Sequence, residues 1–352
     1  MTDAKHEDRI FARFDGRGGP SLARWCGDLL EAQKRTWPEL AAGHEALGSA
    51  RLREIPCPGF SVRVQFNPKR IASAAARVDP ESIRKRKCFL CPGNLPPSQK
   101  GILYRQDYFV LCNPAPIFPR HYTISSLRHV PQSIEDRLDV LLRLAEDFSG
   151  EATALYNGPR SGASAPDHFH FQAVPPGVLP LEDVLDEKGR KKRIRRAGGV
   201  SLFQGMNLGR SVLIMEGSDA GGIVHLAQAV IGEMKKIVRE PGEPMMNILC
   251  SHGRSGWRTV IFPRGRHRPG MFDRDGDEQV LISPGAVDMG GLIITPRERD
   301  FTLLGPDMVQ AVFREVSWDE AKSAALVQAL RGKPLRTPDT SRNPMNRMEA
   351  LS

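Results

Sequence analysis

The sequence contains no run of about 20 apolar residues, the length a membrane-spanning helix requires. Its opening, Met1-Thr2-Asp3-Ala4-Lys5-His6-Glu7-Asp8, is charged and has no apolar signal core behind it. These two absences lead to the expectation of a soluble, cytoplasmic chain with no membrane partner. Cysteine is scarce, with six in 352 residues, at positions 26, 57, 88, 91, 112 and 250. Scattered in this way they do not make a secreted disulfide framework. Only Cys88 and Cys91 are close together, and the others read as small buried residues. Acidic residues are also in deficit: 50 Lys and Arg against 41 Asp and Glu leave a formal charge of +9. That balance suits an anionic partner, nucleotide or nucleic acid.

The basic charge is densest at 188–196, with Lys188, Arg190, Lys191, Lys192, Arg193, Arg195 and Arg196. Such a run reads as a solvated loop, or as a flap that reaches substrate phosphates. It lacks the interleaved aromatic residues that a single-strand binder needs for stacking, so a nucleic-acid partner is disfavoured.

What is present is enough for a substantial core, since 40% of the residues are hydrophobic. Residues 1–20 have few apolar positions and several glycines, and are expected to be loose. From Ser21 a helix is predicted, broken at Trp37-Pro38 and resuming to about Ala46. Strict alternation predicts a strand at Phe60–Phe66, and further strands are expected at 108–112 and 121–126. An amphipathic helix follows at 134–149. Beyond the basic run the pattern gives a strand at 211–215, a helix at 223–238, and a hairpin around His252–Gly256. Strands at 280–283 and 291–295 and a helix at 318–330 complete the set. Strands mostly follow one another directly, so the expected class is α+β, with mainly antiparallel sheets and helices on one side. The two halves have similar grammar, which suggests related halves. The division expected is a helical appendage at 1–55, a first half at 56–200, a second at 201–332, and a disordered tail at 333–352.

The chemistry is concentrated between Asn157 and Gln172. The stretch 157–166 is small and turn-forming, and its backbone N–H groups at Ser161, Gly162 and Ser164 could hold an anion. The stretch Asp167-His168-Phe169-His170-Phe171-Gln172 alternates with the period of a strand. His168, His170 and Gln172 then share one face at a spacing of roughly 6.5–7 Å, and Phe169 and Phe171 share the other. A neutral imidazole beside a phosphate cradle can attack a phosphorus atom and form a covalent intermediate, provided its far N–H is held by an acceptor. His170 is the candidate nucleophile, with Gln172 and Ser164 stabilising charge on the phosphoryl oxygens.

Cys88-x-x-Cys91 is either a redox pair or half of a metal site. The Pro92-Gly93 that follows argues against a thioredoxin-like helix start. As half a zinc site it needs two more ligands. His129 and His168 are the natural candidates, with His121 as a substitute. A structural zinc on Cys88, Cys91, His129 and His168 would pin the His168 segment and so fix its neighbour His170. Downstream, Arg264, Arg266, His267 and Arg268 crowd into five positions. They read either as a solvated hairpin end or as a seat for an acceptor phosphate, with Arg264 and Arg268 as its candidates.

The segment Asn157-Gly158, Gly162-Ala163-Ser164 and His168-x-His170-x-Gln172 resembles the nucleotidyltransferase branch of the histidine-triad superfamily. That branch holds galactose-1-phosphate uridylyltransferases, diadenosine tetraphosphate phosphorylases and GDP-hexose phosphorylases. Cys88-Phe89-Leu90-Cys91-Pro92-Gly93-Asn94 looks very like the uridylyltransferase zinc segment. The resemblance covers roughly residues 60–175 and implies His170 as the covalent nucleophile and His168 and His129 as metal ligands. It also implies phosphate binding by Ser164, Gln172 and Asn157. The two x positions of His168-x-His170-x-Gln172 are Phe169 and Phe171. Bulky residues there resemble the phosphorylases more than the uridylyltransferases, which carry Pro and Gly. The implied activity is ping-pong transfer of a nucleoside monophosphate from an NDP-sugar or dinucleoside polyphosphate to phosphate or a sugar phosphate, with a homodimer possible. The alternatives are a hexose-1-phosphate uridylyltransferase proper, or a nucleotide- or nucleic-acid-binding protein without turnover.

Overall fold

The computed structural model describes residues 4–332. The tail expected to be disordered at 333–352 lies outside the described residues. Strand β1 (Ile10–Phe14) is followed by helices α1 (Leu22–Thr36) and α2 (Pro38–Gly48). Ser21 caps α1, accepting from the Arg24 N–H at 3.2 Å. Trp37 ends that helix and Pro38 opens the next at a position where its missing N–H costs nothing. Next come β2 (Arg51–Cys57), β3 (Phe60–Phe66) and the short helices α3 (Ile71–Ala74) and α4 (Pro80–Lys85). A meander β4 (Gly101–Tyr104), β5 (Tyr108–Cys112), β6 (Tyr122–Ser126) leads to α5 (Leu138–Asp147), β7 (Thr153–Asn157), β8 (His170–Val174) and α6 (Pro180–Val184). The second half runs β9 (Lys191–Ala197), β10 (Val200–Gly205), β11 (Leu213–Gly217), α7 (Ala220–Val238), β12 (Met246–Gly253), β13 (Gly256–Pro263). It ends with α8 (Ala286–Met289), β14 (Leu292–Thr295), α9 (Glu298–Leu303), α10 (Pro306–Val316) and α11 (Glu320–Arg331).

Eleven strands form one sheet, in the order β1-β4-β5-β6-β8-β7-β12-β13-β11-β10-β9. All its pairs are antiparallel except β1 with β4. The centre is the β7–β12 pair, with Asn157 opposite Asn247 and Leu155 opposite Leu249. Moving outward, the first half reads β7-β8-β6-β5-β4 and the second β12-β13-β11-β10-β9. Each inserts one helix, α5 or α7, before its innermost strand.

The α+β class holds, but both sides of the sheet are covered. One core lies under α1, α2, α5, α7 and α11 and contains Phe169, Phe171, Tyr156 and Ile248. On the other face Leu155, Leu249, Val260 and Ile214 pack against the three-stranded sheet β14-β3-β2 and helices α8, α9 and α10. Three local expectations are corrected. Residues 10–14 are not loose but extend the large sheet, because Phe11 and Phe14 pack onto its core. The basic run is neither a loop nor a flap; from Lys191 it is an edge strand, and Lys191 pairs with Glu216 at 2.8 Å. Residues 280–283 form no strand: Val280, Leu281 and Ile282 are buried, but the Leu281 N–H is taken by the Asp300 carboxylate at 2.9 Å. Among the described residues no helix is long and apolar enough to cross a membrane.

Candidate active site

Opposite residues of adjacent strands share a face. Leu111 on β5, Thr123 on β6 and Gln172 on β8 therefore make one row, and Phe109, Ser125 and His170 the next. The segment running from α3 through the cysteine knuckle folds over this part of the sheet and encloses a cavity of about 700 Å³. His170, Gln172, Thr123 and Leu111 form its floor, and Ser164, Arg70, Arg77, Lys85 and Arg86 lie on its walls. Among the described residues no Asp or Glu lines it.

His170 is 4% exposed. Its Nδ1–H donates to the carbonyl of His168 at 2.9 Å, which leaves Nε2 with a bare lone pair. Burial pushes its pKa down to about 4, against the opposing pull of the His168 carbonyl, so the ring is neutral at neutral pH. The backbone on either side is clamped by Gln132, whose Oε1 accepts from His170 N–H at 2.8 Å. The Gln132 Nε2 donates to the carbonyls of His170 and Asn157, both at 2.9 Å. Phe169 and Phe171, wholly buried and 4.8 Å apart in an edge-to-face pair, hold the opposite face of the strand.

Gln172 is oriented by His121. The Ile117 N–H donates to His121 Nδ1 at 3.3 Å, so the proton sits on Nε2 and donates to Gln172 Oε1 at 3.2 Å. The Gln172 amide consequently turns its NH₂ outward as a donor. Burial, and then the nearby Arg70 guanidinium, hold His121 down to about 3. His121 is thus the orienter of Gln172 and stands outside the metal-type cluster.

That cluster is Cys88, Cys91, His129 and His168, whose ligating atoms all lie within 4.8 Å of one another. Cys88 Sγ is 3.3 Å and Cys91 Sγ 3.5 Å from His168 Nδ1. Cys91 Sγ is 3.2 Å from His129 Nδ1, and the two Nδ1 atoms are 3.2 Å apart. The edges of a tetrahedron around zinc with ordinary Zn–N and Zn–S bonds are about 3.3–3.8 Å. His168 donates its other nitrogen to the Ser126 carbonyl at 2.8 Å, which fixes Nδ1 as the free lone pair. Cys91 is pushed up to about 11 by burial and the adjacent Cys88, so two thiolates here need a cation between them. The residues therefore fit a metal ion.

The other expected site residues are placed elsewhere. Asn157 Oδ1 accepts from Asn247 at 2.8 Å and from the Ala286 N–H at 2.7 Å, tying β7 to the second half. Ser161 is wholly buried, its carbonyl accepting from Asn247 at 2.6 Å. Gly162 packs on Gly285, where a Cβ would come within 2.7 Å of the Gly285 Cα. Arg264 is 1% exposed and donates to Asn247 Oδ1 and to the carbonyls of Pro284, Val316, Arg266 and His267. With its donors spent it is a buried strut. Arg268 donates to the Ala76 carbonyl at 2.8 Å and to Ser283 Oγ at 3.0 Å, bracing the cavity wall without lining it. The sequence reading missed Gln132, Arg70 and Arg77. The run Arg84-Lys85-Arg86-Lys87 was visible before the cysteines, but nothing in it marked which members face inward.

A family described as a domain of unknown function, DUF4922, matches residues 29–175. No curated protein matches by sequence. Among solved structures, yeast Ap4A phosphorylase Apa2 superposes with a TM-score of 0.56 at 17% identity, covering 85% of this chain and 95% of that one. Its complex with Ap4A gives 0.55 at 15% identity, over 83% and 97%. The chain has the fold of these phosphorylase structures. In that fold His170 and Gln172 share the floor of the cavity, and the Cys/His cluster stands directly beside them.

Proposed function

We propose that the protein is a nucleotidyltransferase of the phosphorylase type. His170 Nε2 attacks the α-phosphorus of a nucleotide donor, forming a covalent nucleotidyl-histidine as the bond to the bridging oxygen breaks. Phosphate or a sugar phosphate then attacks the same phosphorus from the vacated side and restores the free imidazole. The carrying observation is the His170 Nδ1–H bond to the His168 carbonyl, which supports a bare nucleophilic nitrogen on the cavity floor. The outward NH₂ of Gln172 and the guanidinium of Arg70 supply charge stabilisation for the phosphoryl oxygens. Ser164 completes the rim.

In this reading the metal is zinc, held by Cys88, Cys91, His129 and His168. When bound, it supplies no chemistry to the transfer; it fixes the segment from which the His168 carbonyl orients the nucleophile. We also read the matching strand orders as two copies of one unit, of which only the first is catalytic. On β13 the cavity-side positions are Arg258, Val260 and Phe262, with no imidazole among them.

The test is incubation with donors labelled at the α-phosphorus, without acceptor. Acid-labile label on the wild type, absent from His170→Ala, is the expected result. Equal labelling of the two proteins, or none on either with any donor, overturns the assignment.

A further inference from the structure

The cavity has two kinds of wall. On one side Trp37, Leu95 and Gln99 are buried and belong to the packed body of the protein. On the other, residues 71–87 supply seven lining positions, from Ala72 to Arg86, yet none of the seventeen is buried. A segment with no buried side chain has little to keep it in place. Its helices α3 and α4 are four and six residues long, too short to be stable alone. Among the described residues its backbone makes no backbone hydrogen bond beyond 68–87. The two ends, by contrast, are fixed. Asn67 is buried, donating from its backbone to the Thr295 carbonyl and from its side chain to the Pro116 carbonyl, both at 3.0 Å. Cys88 is buried in the Cys/His cluster.

Two guanidinium groups tether the segment between those ends. Arg86, which belongs to it, donates to Asp167 at 2.6 Å. Arg268 reaches in from the second half, its Nη2 donating to the carbonyls of Ala76 at 2.8 Å and Ala74 at 3.4 Å, at the end of α3. Arg268 is itself held, with Nε on Ser283 Oγ at 3.0 Å and the Phe272 ring 4.0 Å away.

We infer that residues 71–87 are a lid, and that Arg268 is the positioning residue that latches it over His170. The inference rests on the reading of His170 as nucleophile. In this closed position the ring is 4% exposed, so a donor enters when the lid lifts about its fixed ends. Lifting breaks the Arg86 and Arg268 bonds and uncovers no buried side chain of the lid. Closing protects the covalent intermediate from hydrolysis. In hydrolysis a water oxygen bonds to phosphorus and the N–P bond breaks, its electron pair returning to Nε2. A water proton passes to solvent and a nucleoside monophosphate is released. Arg77 rides on the lid and lines the cavity, so an anionic acceptor draws the lid shut and water does not.

The experiment compares the full-length wild type with Arg268→Met by two readouts. The first needs no transfer: the rate at which diethyl pyrocarbonate modifies His170, mapped by peptide mass, with amide exchange measured alongside. Arg268→Met is expected to raise that rate at least about tenfold, the effect of losing bonds from a charged donor. Exchange should quicken at 71–87 and stay unchanged in β5, β6 and β8. The second readout is the partition of α-phosphorus label from the nucleotidyl enzyme between phosphate and water, which the variant shifts towards free nucleoside monophosphate. An unchanged His170 rate overturns the inference, and so does faster exchange throughout the sheet, which would make Arg268 a strut. An unchanged partition overturns the protective role. If Arg268→Met does not fold, nicking the wild type with trypsin after Arg84, Lys85 or Lys87, all exposed, must raise the His170 rate in the same way. Absence of label on His170 with every donor would sink the transfer reaction, while the modification rate still decides the lid.

Discussion

In the reaction we propose, the atom that decides the role of His170 is Nδ1, which does no chemistry. With Nδ1 protonated and committed to the His168 carbonyl, Nε2 has only a lone pair to offer. That tautomer depends on the local backbone, and the backbone depends on Gln132. Gln132→Leu would orphan the His170 N–H and the carbonyls of His170 and Asn157, each a buried group worth about 1–3 kcal/mol when left unpaired. The expected outcome is a urea midpoint lower by at least about 2 kcal/mol of stability at unchanged m, with His170 labelling lost at temperatures where the variant is still folded. A second residue gives a pH signature. Glu243 accepts from the Ile134 N–H at 2.7 Å and from the Tyr156 hydroxyl at 2.8 Å, and burial raises its carboxyl to about 7. Folding then favours the protonated form. Its contribution is complete below the ordinary value of 4.5 and is lost as pH rises through 7. Denaturation at pH 5 and pH 8 should show the wild type losing stability over that window, and Glu243→Gln should flatten the loss.

At the scale of elements, what could be read from the sequence followed from local pattern. Alternation located β3 and β8, Ser21 and Pro38 marked the helix boundaries, and Cys88-x-x-Cys91 announced the cluster. What could not be read depended on partners distant in sequence. A short basic strand such as β9 looks like a loop until β10 pairs with it, and a pentapeptide at 10–14 has no strand signal apart from β4. The same limit explains Asn157 and Arg264. Their residue types suit phosphate binding, but the β7–β12 pairing and the turn at 284–286 bring them together as a buried joint. This joint has a sharp test at Gly162, whose φ of +92° and contact with Gly285 both exclude a side chain. Gly162→Ala should cost more than about 1 kcal/mol, the excess over ordinary Gly-to-Ala strain reflecting the clash. Gly177→Ala, with φ +69° and open space around it, is the control that carries the strain alone. Equal costs in denaturant melts would show that the loop does not press on the second half.

At the scale of the whole molecule, the Cys/His cluster lies where the knuckle, the loop after β6 and the entry to β8 meet. A ligand that binds only the folded arrangement adds stability by mass action, about 2.7 kcal/mol at a hundredfold excess over its Kd. Chelation should therefore lower the melting temperature, zinc should restore it, and Cys88→Ser should melt at the chelated value with or without zinc. The two halves carry the same strand order, yet they differ in what faces the side opposite α5 and α7. In the first half that face is opened into a cavity by the segment 70–99. In the second, Val260 and Phe262 are buried in the core shared with the small sheet and α10, and the cavity-side positions of β13, Arg258, Val260 and Phe262, hold no imidazole. Labelling with an α-phosphorus-labelled donor should therefore saturate at one nucleotidyl group per chain, all of it lost in His170→Ala. A stoichiometry of two would place a second reactive centre in the half that the packing has closed.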